Sequence, residues 1–530
     1  MQVHQIPIFK DWVPEWLARA VIFAVLLNSI LGFALYYNNP ESTVGYYGIE
    51  PSDVQYSVVV MYASVVSFLA LDFRIIKYFA TRKYLLIGLA LNAVTYVICF
   101  YTKNWILFLI CRFVQGAVCA LFCNIVLNLI FPRLHSGRSR VIGYTIFYGS
   151  LQVSIPVCGI YCSYVLYYFN FNWLFYGLII LSLPVLFAVL LTMNSKSRIH
   201  KKIPLYYLDL TGYFFYTVFC LLAGYILVYG QQLNWFENQL IWLLTAAGII
   251  LLVLFAVREN RLKRPLINLE ILKAKKFVTG LFLLFTFYIF KGTSGFTYGY
   301  IESILGVDPL NIIPIWVFTI VVTIISMFIT SRFILTGTPL IRIVIVGFFI
   351  LALFYIYMLC FVSNTGETND FIIPTCLFAI ASGVVFVPAV AFTVSSAPPK
   401  IAFNASFIGI FARFLGFCTS IAINNYVQLY TKAAVYEKVR ESMSELNPQL
   451  DLTRQNIQNA YINQGSDFIT GKNASGMYLK TLIREQILAR SIRDYYEIML
   501  VSVIVVIILL ILTPGLNKVI IRLRKGSLPY

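Results

Sequence analysis

Apolar residues run along this chain in long blocks separated by short polar gaps, and block length is the first physical constraint. A bilayer core about 30 Å thick needs about 20 helical residues to cross it. Blocks of that length fall at 14–37, 53–73, 84–101, 105–131, 141–169, 173–193, 207–229, 238–257, 277–301, 309–331, 340–362, 371–396, 403–428 and 496–516. They predict fourteen membrane-spanning helices. The interval 429–495 is different. Apolar and polar residues alternate there with helical spacing, as in Leu479-Lys480-Thr481-Leu482-Ile483-Arg484-Glu485-Gln486-Ile487. The spacing predicts two or three amphipathic helices that extend the last two spans beyond the bilayer.

The polar gaps carry the orientation. Every second gap is basic: Arg74, Lys77, Arg82 and Lys83; Arg133, Arg138 and Arg140; Lys196, Arg198, Lys201 and Lys202; Arg258, Arg261, Lys263 and Arg264 with Lys273, Lys275 and Lys276. Arg332, Arg342, Lys400 and the tail residues Lys518, Arg522, Arg524 and Lys525 continue the set, whereas the opposite short gaps hold little beyond Lys103. Short loops rich in Lys and Arg face the cytoplasm, so both termini are expected there and 429–495 on the outer side.

Composition agrees. The 530 residues are 60% hydrophobic and only 12% charged, where a soluble domain would be about one-quarter charged. The net charge of +18 would point to nucleic acid in a soluble protein. Here the basic residues lie in loops between apolar spans, so membrane orientation and anionic lipid account for them. The cysteines sit mostly within apolar blocks, with no CxxC pair, and the histidines (His4, His135, His200) lie at edges or tails. No metal site, disulfide framework or cofactor is expected. No nucleotide loop or nucleophile–base set is present, so no enzymatic activity is expected. The first apolar block is long and lacks a small-residue cleavage site, which argues against a cleavable leader.

Charges inside apolar blocks are the candidate chemistry. An arginine in a spanning helix costs about 2.5–3.5 kcal/mol on insertion scales, so Arg112 should face a partner or a watery cavity. It either tunes a carboxylate or binds an anionic group, or it braces neighbouring backbone carbonyls. Lys291 lies more than halfway along the ninth block, either as a group desolvated enough to titrate or as a snorkelling side chain. Glu302 follows about three turns later on nearly the same face, roughly 16 Å along the axis. Its position at the outer mouth reads as a solvated rim charge. Asp72 closes the second block beside Arg74 and reads as a gate or loop salt bridge. Asn28, Gln115 and Gln152 offer hydrogen bonds to a substrate. Gly149, Pro156 and Gly159 allow bending and close packing.

Several stretches also carry a family likeness. Arg112, Gln115 and Gly116 fit an R-x-x-Q-G motif in the fourth span, and Pro156 with Gly159 fits the core of an antiporter motif in the fifth. Leu27-Asn28-Ser29-Ile30-Leu31-Gly32 in the first span, Gln55 and Tyr62 in the second, Gly230-Gln231-Gln232-Leu233-Asn234-Trp235, Arg258-Glu259-Asn260-Arg261, Tyr300-Ile301-Glu302-Ser303, Arg413-Phe414-Leu415-Gly416 and Asp494-Tyr495 occur in matching order. The chain resembles the major facilitator superfamily in its fourteen-helix drug:proton antiporter branch. That resemblance implies an all-α membrane protein with a six-helix bundle at 1–200, two inserted helices at 201–272, and a second six-helix bundle at 273–530 that carries the outer helical loop 429–495. It implies alternating access to a midplane site, with Arg413 bracing the second bundle. The first implied function is proton-coupled efflux of lipophilic or amphipathic toxic compounds across a bacterial cytoplasmic (inner) membrane. Its implied partners are a periplasmic membrane-fusion adaptor and an outer-membrane channel, the adaptor meeting 429–495. The alternative on the same fold is uptake of an anionic metal chelate or other organic anion, suited by Arg112, Lys291 and Arg413. Three departures stand out. Asn28 occupies a usual aspartate position, only Arg82-Lys83 survives of the basic loop motif, and Ile155 and Ile160 replace glycines.

Overall fold

A computed structural model describes residues 7–38, 40–134, 139–199, 202, 204, 208–303, 305, 307–362, 367–398, 401–442, 448–465 and 467–512. His4, His135 and His200 lie outside these residues, as do Arg138, Lys201, Lys400, Lys518, Arg522, Arg524 and Lys525.

The described residues are almost entirely helical. In order they form α1 (Glu15–Asn38), α2 (Pro40–Tyr47), α3 (Pro51–Ile75), α4 (Thr81–Tyr101), α5 (Trp105–Ile130), α6 (Ser139–Tyr168), α7 (Trp173–Thr192), α8 (Leu210–Tyr229) and α9 (Gln239–Arg261). Then come α10 (Lys275–Lys291), α11 (Thr293–Ser303), α12 (Ile313–Leu335), α13 (Leu340–Phe361), α14 (Ile372–Ser395), α15 (Asn404–Ser442), α16 (Pro448–Asn463) and α17 (Phe468–Ile511). Among the described residues, fourteen helical stretches are long and apolar enough to cross a membrane. Their starts are fixed locally: Asn104 accepts from the amides of Ile106 and Leu107, Asp209 from Gly212, and Asn238 from Leu240. Each satisfies helix N–H groups that would otherwise be orphaned.

The structure adds three features to the apolar blocks. The ninth block is two helices, α10 and α11, separated at Gly292. The short α2 fills the gap between the first two spans. The last block, expected at 496–516, is the end of a single 44-residue helix that begins at Phe468.

In the first half α1, α3, α4, α5, α6 and α7 pack on one another, and in the second half α10, α12, α13, α14, α15 and α17 do the same. The halves meet along two seams, α3 against α15 and α6 against α12. Helices approach closely where side chains vanish. A Cβ on Gly116 would collide with the backbone carbonyl of Met61 on α3, and one on Gly159 would sit 2.5 Å from the Trp316 ring on α12. The α8 helix packs on α3, α15 and α9, so it lies over one of the two seams. The loop after α9 then touches both halves: Arg74 Nη2 donates to the carbonyls of Arg264 (3.1 Å) and Pro265 (2.5 Å), and the Asn268 amide donates to Asn404 Oδ1 (3.2 Å). Outward faces stay apolar, with Leu243, Ile249, Phe282, Phe328 and Val505 exposed, as expected where hydrocarbon is the solvent.

Candidate functional site: a central cationic and aromatic cavity

Between the halves lies a cavity of about 1290 Å³. Its walls are aromatic and aliphatic, with Phe33, Tyr62, Tyr148, Tyr288, Phe386 and Phe417 among the rings. The charged residues in its lining are Lys291 and Arg413; none of the described lining residues is acidic. Lys291 Nζ lies 5.2 Å from the Tyr288 ring centre and 5.4 Å from that of Phe386. The Arg413 guanidinium lies 5.4 Å from the Tyr148 ring and 5.9 Å from the Phe386 ring, while its Nε donates to the Gly409 carbonyl at 3.1 Å. Ring faces are electronegative and hold such cations without a carboxylate. The positive charge stays available to a ligand.

The helix break places Lys291. Lys291 is the last residue of α10, next to Gly292, whose backbone keeps right-handed helical angles (φ −61°, ψ −21°) while its N–H turns to the Ile289 and Phe290 carbonyls. Asn424 Nδ2 donates to the Gly292 carbonyl at 3.4 Å. Thr293 Oγ1 shares hydrogen bonds with Tyr355 (2.9 Å) and Tyr495 (3.1 Å), and Tyr495 donates to Asn424 Oδ1 at 2.8 Å. Hydroxyls from α13 and α17 and an amide from α15 thus hold the break.

Two further spaces adjoin the cavity. One of about 570 Å³ lies among α6, α10, α11, α12, α13 and α14, with Lys291 shared between it and the main cavity. The other, of about 1360 Å³, opens toward α2 and contains Gln55 and Asn425. These two residues exchange hydrogen bonds of 3.0 and 3.4 Å across the α3–α15 seam. At the other end of that seam Phe73 stacks on Phe403, with ring centres 5.6 Å apart.

The family model for the Major Facilitator Superfamily matches residues 21–421. The chain belongs to the Major Facilitator Superfamily. It is therefore a multi-pass membrane transporter of small molecules, not an enzyme. A curated relative, the multidrug export protein EmrB of Escherichia coli, is 22% identical over 306 residues, which are 55% of this chain. The match spans 57% of that relative's length. Among solved structures, a peptide transporter POT in complex with sulfate superposes with a TM-score of 0.60 at 12% identity, covering 98% of each chain. A POT family transporter in complex with a thioalcohol conjugated peptide gives 0.59 at 12% identity, covering 95% of this chain and 97% of the other. At these identities the likeness shows the major facilitator fold: two six-helix bundles plus two inserted helices.

Within this Major Facilitator chain the expected residues scatter. Lys291 and Arg413 meet in the central cavity, and Gln152 with Pro156 lines the adjoining one. Arg112 is absent from the lining of the described cavities. Fully buried in the first bundle, it donates from Nη1 to the Gly32 carbonyl (2.8 Å) and to Gln115 Oε1 (3.0 Å). Gln115 in turn donates to Thr95 Oγ1 at 3.3 Å. The Gln115 amide, expected to offer a hydrogen bond to substrate, is engaged inside the bundle in this structure. Asn28 is buried likewise and is absent from the lining of the described cavities.

The expected salt bridge of Asp72 is also corrected. Its carboxylate accepts from the Tyr84 hydroxyl and from Asn124 Nδ2 (2.6 Å), while Arg74 reaches the loop after α9. Two residues apart on a helix, the side chains point to opposite faces. Glu302 lines a small space of about 350 Å³ with Gly159, Tyr298 and Trp316, apart from the main cavity. Gly149 packs toward Met327, and Gly116 and Gly159 admit neighbouring helices.

Sequence reasoning missed the ring walls, above all Tyr148, Tyr288 and Phe386, and the Gln55–Asn425 bridge. Aromatic residues are too numerous along the spans to be singled out by pattern. A Gln and an Asn at opposite ends of the chain carry no local signal. Among the described residues no group of His, Cys, Asp and Glu is placed to hold a metal ion.

Proposed function

We propose that this transporter exports lipophilic compounds bearing a negative charge, by alternating access across a bacterial cytoplasmic (inner) membrane. One observation carries the reading: the aromatic cavity between the bundles holds Lys291 and Arg413 with no acidic residue in its described lining. A flat apolar body suits the rings, and an anionic group suits the two cations. A cationic drug would meet uncompensated positive charge in a low-dielectric space. The likeness to a multidrug export protein favours export over uptake of an anionic chelate. In this reading the bundles span 1–200 and 273–530, with 201–272 as the insertion.

Protons drive the cycle, and the carboxyls available for it are Asp72, buried among α3, α4 and α5, and Glu302. The amide of Asn28 carries no proton. Arg112 is a brace. The exposed ends of α15 and α17, with α16, offer a surface to a periplasmic membrane-fusion adaptor that leads to an outer-membrane channel.

The test is efflux from cells stripped of their own pumps, loaded with carboxyfluorescein or with ethidium. Export of the anionic dye should be lost on adding a protonophore and in Lys291→Gln and Arg413→Gln. Export of ethidium with retention of carboxyfluorescein would overturn the anion assignment.

A further inference from the structure

The smaller space beside the main cavity is chemically distinct from it. Its lining is rich in hydroxyls, including Ser294, Thr297, Thr319, Thr323 and Thr375. Their hydrogens are committed to helix carbonyls: Ser294 to Lys291 O, Thr297 to Thr293 O, Thr319 to Ile315 O, Thr323 to Thr319 O and Thr375 to Phe371 O. Two strong donors face no such commitment. Gln152 is only 7% exposed, and its Nε2 has no hydrogen-bond partner. The Lys291 ammonium has no carboxylate within ion-pair distance among the described residues. A buried donor without an acceptor costs about 1–3 kcal/mol, so an unfilled Gln152 amide at membrane depth marks a place where a ligand supplies the missing acceptor. An acceptor with a full negative charge would answer the ammonium as well.

Resting on the anion-export reading above, we infer that this side space is the subsite for the substrate's acidic headgroup. A carboxylate or similar oxyanion accepts from Gln152 Nε2 and Lys291 Nζ there, while the apolar body lies among the rings of the main cavity. Lys291 belongs to both spaces, at the place where headgroup and body of one molecule would join. Arg413 lines only the main cavity and Gln152 only the side space. Substitutions therefore tell the two apart. The substrate class is an amphipathic monoanion with its charge at one end.

The probes are pyrenebutyrate and pyrenebutanol, which share an apolar body and differ in the charged headgroup. Their equilibrium binding is measured on the full chain in lipid nanodiscs, above that of empty nanodiscs. Wild type should prefer pyrenebutyrate by about tenfold or more, the scale of a hydrogen-bonded charge. Gln152→Leu should cut that preference severalfold, with Lys291 left to answer the charge, and should weaken pyrenebutanol less than pyrenebutyrate. The isosteric Gln152→Glu keeps shape and length, and should lower pyrenebutyrate affinity further by giving Lys291 an internal partner. Arg413→Gln should retain most of the preference.

If Gln152→Leu and Gln152→Glu keep the preference while Arg413→Gln removes it, the headgroup sits in the main cavity; the subsite is refuted and the anion reading stands. If wild type shows no preference for pyrenebutyrate, both fall.

Discussion

The Gln55–Asn425 bridge closes one end of the α3–α15 seam, and its removal has a calculable effect. One amide bond is 3.0 Å and well formed; the other, at 3.4 Å, is long. A net intramolecular hydrogen bond contributes about 0.5–1.5 kcal/mol, so the pair is worth roughly 1–2 kcal/mol to any state that contains it. Asn425→Leu should shift the ratio of seam-open to seam-closed molecules by about 5- to 30-fold. Spin labels at Glu41 and Gln428, both beside the space that opens toward α2, would report this as growth of a long-distance population by electron–electron resonance. Gln55→Leu should do the same, and the double substitution should add little, since either change breaks the whole bridge. Unaltered distance distributions in all three variants, with the labelled parent visibly sampling both states, would refute the idea that this bridge holds the seam shut.

Other outcomes follow from single contacts. Gly159→Ala sets a methyl 2.5 Å from the Trp316 ring and should lower stability by about 1–3 kcal/mol, the scale of overpacking, seen as a fall in Tm; an unchanged Tm would mean that α6 and α12 separate at no cost. Asp72→Ala leaves the Tyr84 and Asn124 donors facing an apolar gap and should cost about 1–3 kcal/mol, whereas Asp72→Asn should keep the fold but uncouple transport from a proton gradient in proteoliposomes. At the start of α8, outside the spans, burial would raise the Asp209 carboxyl, but hydrogen bonds from Arg258 and the Gly212 amide outweigh it and hold it below its ordinary value. A depressed carboxyl adds stability above its unfolded pKa, about 3.9, and loses it as pH falls through the folded value. Unfolding measured from neutral pH down to strong acid should therefore show a loss below about pH 4 that is smaller in Asp209→Asn.

The spans could be read from sequence because hydrocarbon imposes a fixed length and forbids unpaired backbone. Fourteen apolar blocks between basic gaps leave few other folds. The positions of Lys291 and Arg413 were legible for the same reason, since a charge in an apolar block is conspicuous. What pattern could not supply was direction. Asp72 and Arg74 are near neighbours in the chain, yet one turns into the first bundle and the other toward the loop after α9. Arg112 looked like a ligand group because its burial is costly, and burial alone does not separate a brace from a binding residue. The break at Gly292 hid inside an ordinary-looking apolar run. The contacts around it, among Thr293, Tyr355, Asn424 and Tyr495, come together only when α10, α11, α13, α15 and α17 are assembled.

The length of α17 has a mechanical consequence. From Tyr495, hydrogen-bonded at the helix break, the same unbroken helix runs to Phe468, roughly 40 Å away at 1.5 Å per residue. An uninterrupted helix of that kind is a stiff pointer. A pivot of about 10° at its base would swing the tip by roughly 7 Å over that length, with α16 carried on its flank. A small rearrangement around the bound cargo would be amplified at the far end into a displacement as large as a side chain. The Phe468 end of α17 would then act as a gauge of what happens around Tyr495.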